Sequence, residues 1–344
     1  AFEKGGIAAV VEKNWLCDAT ADGSLDKFRP TCVYVPVDDV GAAFLKVASR
    51  HALRHRVPRV AVAGSNGKTT TKEMVARVLA AKGPVLKTEG NFNNHVGVPM
   101  TLLRIGSEHK SAVVELGTSS PGELAPLSRA VAPDVAVLTN IGHEHMEFFK
   151  TLEAVRDEEL TVAAGLKRGG TLVLNADDPY LQKVRTNARY KVLGFGLRRG
   201  QVRPAQLEFD ADGCGSFLIG RTRFRLPVPG THNVYNALAA ISVGLDLGIP
   251  KGKIRDALET FQAVGGRMNV IEANGLKIID DCYNANPPRV RSALQILSGM
   301  TVPGRRVAVL GDMLELGEAS RDMHKGIGQL AAEMELDQLW CLAR

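Results

Sequence analysis

The chain has 344 residues, of which 45% are apolar and 23% charged, enough apolar material for two or three cores and too much for a disordered tail. Lysine plus arginine exceeds aspartate plus glutamate by 43 to 37, a formal charge of +6, yet the basic residues are scattered and only 5% of the chain is aromatic. A nucleic-acid binder gathers its charge into a stripe beside stacking rings, so the excess implies no nucleic acid, only a bias toward small anionic substrates.

No run reaches the roughly 18 apolar residues of a membrane span, and the opening lacks a signal-peptide pattern; the cytoplasm is the expected compartment. Cys17, Cys32, Cys214, Cys282 and Cys341 are odd in number, far apart and without a CxxC pair, which suggests reduced thiols and neither a disulfide framework nor a zinc site. The chain opens on Ala1, and its last stretch, LDQLWCLAR, reads as a strand with nothing after it. Both ends are expected to be cut.

Glycine and proline punctuate short Val/Ile/Leu runs that alternate with longer Ala/Leu/Arg/Glu segments, the pattern of parallel strands joined by crossover helices. An α/β fold follows. Strands are predicted at 59–63, 111–117, 134–140 and 171–175, with helices at 68–82, 122–131 and around 151–166. Residues 200–229 alternate polar and apolar, as antiparallel hairpins do, and a helix is predicted at 233–247. The glycine pair in VGGRM, 264–268, marks a linker. Beyond it, strands at 276–280 and 306–310 with a helix at 287–299 begin a further α/β unit. No internal repeat or low-complexity segment is evident.

The octapeptide GSNGKTTT, Gly64 to Thr71, follows a β-rich run and opens a helix, the context a phosphate-binding loop requires. Gly64 and Gly67 let backbone N–H groups approach a polyphosphate across Ser65 and Asn66, and the helix N-terminus adds positive potential. Lys68 can bridge the outer phosphates, and a following hydroxyl, Thr69 or Thr70, can hold Mg²⁺. Two residues between the glycines, where the usual loop has four, leave open a glycine turn with a surface Lys-Thr pair. Glu115 ends the next strand at the carboxyl edge of the sheet, where ligands of open α/β sheets gather; it is either part of a Mg²⁺ shell or a solvated strand-end carboxylate. His143 and His145 in NIGHEHMEFF are poor evidence for zinc, having no third ligand nearby, and read equally as polar loop residues.

GSNGKTTTKEM, TEGNFNNHVGVPMTLL, ELG, TNIGHEH, LPVPGTHNVYNALAA, GGRMNVIE, DDCYNANP and GDMLELGEASRDMH occur in the order and approximate spacing of the Mur ligases, which the chain therefore resembles from about residue 5 to its end. The DDCYNANP and GDMLELGE pair resembles the branch that adds D-alanyl-D-alanine to UDP-N-acetylmuramoyl-tripeptide. The resemblance implies a P-loop ATPase domain with a mostly parallel sheet at 58–265, preceded at 1–57 by the rear part of a UDP-sugar-binding domain. It also implies part of a Rossmann-like domain at 266–344, and a monomer. Folylpolyglutamate synthetase or the diaminopimelate-adding ligase would share GKTT but not that pair, and a nucleotide-binding homologue impaired in catalysis is the rival of another class.

The chemistry so implied consumes ATP: a peptide carboxylate attacks the γ-phosphate, and a free amine displaces phosphate from the resulting acyl phosphate. Both steps concentrate negative charge, which Lys68, the loop amides and Mg²⁺ must neutralise. By motif, Thr69 contacts metal or phosphate, and Glu115 and His145 are magnesium ligands. Asn236 contacts adenine with Asn233 and His232 nearby, Arg267 reaches phosphate, and Asp281 meets ribose or phosphate. Tyr283, Asn284 and Asn286 shape the closing face, while Asn91, Asn93 and Asn94 line the muramyl-peptide side; Asx-turn chemistry is the competing account of the asparagines. The family pattern also places, fourteen residues after the histidine, a lysine that becomes carbamylated and bridges magnesium. In this chain that position is Glu159, a permanent carboxylate on a shorter arm that needs no CO₂, or else a solvated helix residue beside an absent second metal site.

Overall fold

The computed structural model describes residues 6–21 and 33–342; Cys32 and the last two residues of the LDQLWCLAR stretch lie outside the described residues. The first elements are β1 (Ala8–Glu12), α1 (Lys13–Ala21), β2 (Val33–Val37) and α2 (Val40–Arg54). β1 and β2 pair in parallel from Ala8 opposite Val33 to Glu12 opposite Val37. Asp39 caps α2 by accepting the Ala42 N–H at 2.9 Å, which satisfies one of the orphan donors of a helix start.

The centre is a six-stranded sheet in the order β4-β5-β3-β6-β7-β8, in which every pairing is parallel. It is built from β3 (Arg59–Ala63), α3 (Lys68–Leu79), β4 (Val85–Lys87), α4 (Gly97–Leu103), β5 (Ser111–Glu115), α5 (Leu124–Val131), β6 (Val135–Leu138), α6 (Met146–Phe149), α7 (Leu152–Leu160), β7 (Gly170–Asn175) and β8 (Tyr190–Phe195). All residues of β3, β5 and β6 are buried, as the continuous apolar runs require of strands covered on both faces. The strand period of two divides them: Val60 and Val62 enter one core with Val75 and Val78 of α3, and Ala61 and Ala63 the other with Leu127 and Val131 of α5. From β3 the chain runs outward to β4 and β5 on one side and to β6, β7 and β8 on the other. The reversal opens a crevice at the carboxyl ends of the central strands, where a ligand can enter.

The alternating segment forms an antiparallel sheet of β9 (Ala205–Phe209), β10 (Cys214–Ile219) and β11 (Thr222–Pro229), followed by α8 (Thr231–Asp246) and α9 (Lys251–Glu259). The C-terminal segment holds the hairpin β12 (Asn269–Ala273) and β13 (Leu276–Asp280), then α10 (Pro287–Gly299), β14 (Val307–Leu310), α11 (Ser320–Glu333) and β15 (Gln338–Cys341). β14 and β15 are parallel, and Leu294, Ala308, Leu316, Ile327 and Leu330 form a small separate core.

Boundaries differ from the sequence reading for local reasons. The helix predicted at 68–82 stays α-helical to Leu79 and finishes as a 3₁₀ turn over 80–82, just before Gly83-Pro84, and the one around 151–166 likewise finishes as a 3₁₀ turn over 161–165. The strand predicted to 117 stops at Glu115, the last residue paired with β3. Among the described residues no helix is long and apolar enough to cross a membrane.

Candidate functional site

Where β3 ends, the chain turns through Gly64 at φ +116° and Gly67 at φ +80°. A Cβ at Gly64 would stand 2.2 Å from Thr139 Oγ1, and one at Gly67 2.5 Å from Asn236 Oδ1, so both conformation and space require glycine. The loop is strapped to the segment after β6. Ser65 N–H donates to Asn140 O at 2.9 Å, Asn66 N–H to Asn140 Oδ1 at 3.0 Å, and Thr139 Oγ1 to Asn66 O at 2.7 Å. α3 begins at Lys68, so its free N–H groups open on the crevice as an anion site.

Lys68 folds back in this state: its Nζ donates to Gly64 O at 2.7 Å and lies 3.3 Å from Glu144 Oε2. Burial acts to lower this ammonium, but Glu144, Glu159 and Glu115 outweigh it and raise it above the ordinary lysine value. Glu144 is a residue the sequence reading missed. It sits between the two histidines of GHEHM, and a charged loop residue there carries no periodic signal that it is buried.

Three carboxylates surround the lysine. Glu115, 2% exposed, is held by Asn93 Nδ2 at 3.0 Å on Oε1 and by Lys72 Nζ at 3.7 Å on Oε2. Glu159 is 1% exposed and accepts the Gly64 N–H on Oε2 at 2.7 Å. That excludes the solvated-helix account of it and puts it beneath the loop. Burial first, then the neighbouring Glu144, drive Glu159 well above the usual carboxylate range against the pull of Lys68 and the Gly64 amide. No hydrogen-bond donor reaches Glu115 Oε2, Glu144 Oε1 or Glu159 Oε1, although all three atoms are buried.

Those oxygens, which no hydrogen bond uses, are the donor chemistry a hard dication prefers. Among the described residues no cluster of three or more His, Cys, Asp or Glu is drawn together as a closed metal cage. Carboxylate oxygens beside a phosphate-binding loop fit magnesium, which takes one or two carboxylates and completes its octahedron with phosphate and water.

Two cavities flank the loop. One, about 300 Å³, runs from Asn66, Gly67 and Thr70 past Phe195 to His232, Asn233 and Asn236 on α8, and is closed by Arg267, Asp281 and Arg289. Inside it the amides form a ladder: Thr71 Oγ1 donates to Asn236 Oδ1 at 3.1 Å, Asn236 Nδ2 to Asn233 Oδ1 at 3.1 Å, and Asn233 Nδ2 to Pro229 O at 2.7 Å. Burial, with Arg289 beside it, pushes His232 down to about 4, so its ring is neutral at pH 7. Arg289 Nη2 donates to Asp281 Oδ1 at 2.6 Å; this arginine too went unread in the sequence, lying at the start of an ordinary amphipathic helix.

The other cavity, about 260 Å³, contains Lys68, Thr69, Asn93, Glu115 and His143–His145 on one side and Arg267, Tyr283, Asn284, Asn286 and Glu315 on the other. Arg267 lies 4.0 Å from the centre of the Tyr283 ring. Asn286 caps α10 through Oδ1 and donates Nδ2 to Asn66 Oδ1 at 2.7 Å, which joins the C-terminal segment to the loop. Of the three early asparagines only Asn93 reaches this cavity. Asn91 is exposed, and Asn94 accepts the Val96 and Gly97 N–H groups at 3.1 and 2.9 Å, which is Asx-turn chemistry.

The chain has relatives among known proteins. Residues 62–244 match the Mur ligase middle domain, and 266–344 the Mur ligase, glutamate ligase domain. The chain is 35% identical over 342 residues to the UDP-N-acetylmuramoyl-tripeptide--D-alanyl-D-alanine ligase of Bacillus subtilis, covering 99% of this chain and 72% of that one. Its fold superposes on MurF from Acinetobacter baumannii with a TM-score of 0.87 at 31% identity, covering 98% and 78% of the two chains. MurF ligase from Thermotoga maritima in complex with ADP gives 0.84 at 28% identity, covering 98% and 81%.

Proposed function

The chain belongs to the Mur ligase family, and from that premise we propose that it joins D-alanyl-D-alanine to UDP-N-acetylmuramoyl-tripeptide in peptidoglycan precursor synthesis, converting ATP to ADP and phosphate. The observation that carries this reading is one arrangement: a glycine-shaped loop and a lysine between a nucleotide-sized cavity and a second cavity lined by carboxylates. ATP spans the two. Its adenosine lies in the α8 cavity against Asn233 and Asn236, and its phosphates extend over Gly64, Ser65, Asn66 and Gly67 to the start of α3, with Thr70 flanking the loop. Arg267 and Asp281 meet the nucleotide from the C-terminal side.

The peptide carboxylate attacks the γ-phosphorus, the bond to the β-phosphate oxygen breaks, and ADP leaves. The amine then attacks the acyl carbon, loses a proton and expels inorganic phosphate. Lys68 must turn from Gly64 O and Glu144 toward the transferring phosphoryl group, whose charge it offsets along with the loop amides. Thr69, Glu115 and His145 would hold Mg²⁺ and Glu159 would support that shell; the ion would supply charge neutralisation at the phosphates. Asn93 keeps Glu115 oriented from the muramyl-peptide side, while Tyr283, Asn284 and Asn286 close the face from which the incoming dipeptide arrives.

The test is phosphate release by this chain with ATP and Mg²⁺. Release that requires both UDP-muramyl-tripeptide and D-alanyl-D-alanine, with the pentapeptide product found by mass spectrometry, supports the proposal. Release with glutamate or diaminopimelate as the amine, and none with the dipeptide, refutes it.

A further inference from the structure

His145 and Glu315 are both non-glycine residues in the left-handed region, at φ +47° and +60°, a conformation that strains a side-chain-bearing residue and collects at functional positions. They face each other: His145 Nδ1 and Glu315 Oε2 are 2.9 Å apart. The two come from opposite sides of the second cavity, His145 from the loop after β6 and Glu315 from the loop after β14.

Each is presented by anchored neighbours in the chain. Met313 and Leu316 are buried in the small core of the C-terminal segment, so the left-handed turn between them throws the Glu315 side chain outward, where it is 64% exposed. On the other side, the His145 carbonyl accepts the N–H groups of Phe148 and Phe149 at 2.9 and 3.1 Å, and Phe149 and Met146 pack into the central core. The backbone at each end is thus held by packing, and the Nδ1–Oε2 contact is what the two strained residues share.

We infer that Glu315 is a positioning residue for the ligation reaction: it fixes the tautomer and ring orientation of His145, and it does so only when the C-terminal segment is docked on the loop. A carboxylate that accepts a hydrogen bond from this ring nitrogen keeps the hydrogen on Nδ1, which would leave Nε2 as the lone-pair nitrogen for a divalent cation. A histidine ligand set by a carboxylate on its other nitrogen binds metal more tightly, and loss of such a partner costs 10–100-fold. Here the partner belongs to a different part of the chain from the ligand, so cation affinity reports docking. This inference rests on the reading of His145 as a magnesium ligand, and the experiment separates the two.

Mn²⁺ is titrated by electron paramagnetic resonance into the protein saturated with a non-hydrolysable ATP analogue. E315A is expected to weaken Mn²⁺ about 10–100-fold, while E315Q, whose carbonyl still accepts from Nδ1, stays within a few-fold of the parent. H145A weakens it at least as much as E315A, and adding E315A to H145A changes nothing further. Metal-free affinity for the analogue is unchanged by E315A, and long-range ¹H–¹⁵N spectra show the Nδ1–H tautomer of His145 in the parent and its loss in E315A. Normal Mn²⁺ binding by E315A with weakened binding by H145A overturns the role of Glu315 alone. Normal binding by H145A overturns the reading of His145 and this inference with it.

Discussion

Glu159 offers the sharpest separation between structural and chemical roles. Replacing it with glutamine keeps an acceptor for the Gly64 N–H, which now donates to Oε2 at 2.7 Å. A charged bond worth about 1.5–3 kcal/mol becomes a neutral one worth about 0.5–1.5, so the direct loss is about 1 kcal/mol. Removing one of two neighbouring buried carboxyls, Glu159 and Glu144, works in the opposite direction. The Gln variant should therefore unfold in urea within about 1 kcal/mol of the parent. Alanine is different: it leaves the Gly64 N–H buried without an acceptor, at about 1–3 kcal/mol, and opens space beneath the loop, so a loss of about 2–4 kcal/mol is expected. If the anion itself serves phosphoryl transfer, both variants lose turnover by about 10–100-fold, equivalent to about 1.4–2.8 kcal/mol of barrier, and the Gln variant does so with its fold intact. Bicarbonate should leave the parent and the Gln variant alike, since neither needs carbamate formation. A Gln variant that turns over like the parent, or a parent that dies in CO₂-free buffer, refutes the reasoning.

Gly67→Ala meets Asn236 Oδ1 at 2.5 Å with φ at +80°. Left-handed strain of about 1–2 kcal/mol plus loss of the Thr71–Asn236 bond predicts destabilisation of about 2–3 kcal/mol in urea and weaker ATP binding by calorimetry; unchanged binding contradicts the loop assignment. Lys68→Met should keep the fold and lower kcat by at least about 100-fold, since an oriented charge at a transferring phosphoryl is worth several kcal/mol; stopped-flow phosphate release measures it. His232 gives a pH signature. Its folded value is about 4 against 6.5 for the free side chain, so between those values the unfolded chain takes a proton that the folded one refuses. Stability is full above pH 6.5 and falls as the pH drops toward 4, by on the order of 3 kcal/mol, and His232→Gln should flatten that part of the profile. A slope identical in both proteins discards the assignment.

The sequence was legible wherever one residue's requirement is local. The strand RVAVA announces burial on both faces through an unbroken apolar run, and all five of its residues are buried. The glycines of GSNGKT announce backbone conformations that only glycine takes easily, and Gly64 and Gly67 both have positive φ. Illegible residues are those whose meaning lies in a distant partner. Glu144 reads as a solvated loop acid until Lys68 arrives from 76 residues earlier, and Asn286 as a helix cap until Asn66 is met 220 residues away. Asn93 and Asn94 are identical neighbours, yet one orients Glu115 and the other closes a turn, because the path of the chain between β4 and α4 points them apart.

Lysine shows the same limit most plainly, since Lys68 and Lys72 stand one turn apart on α3. Lys72 is 1% exposed and donates to Thr88 O at 2.8 Å, with Glu73 and Glu115 at 3.1 and 3.7 Å, so its charge is already matched. Lys68 is held by carbonyls and by a single carboxylate at 3.3 Å, contacts an incoming phosphate can replace. The helix that carries both thus makes Lys72 the fixed counter-charge of Glu115, while the contacts of Lys68 with Gly64 O and Glu144 are ones that a phosphate and its cation can take over.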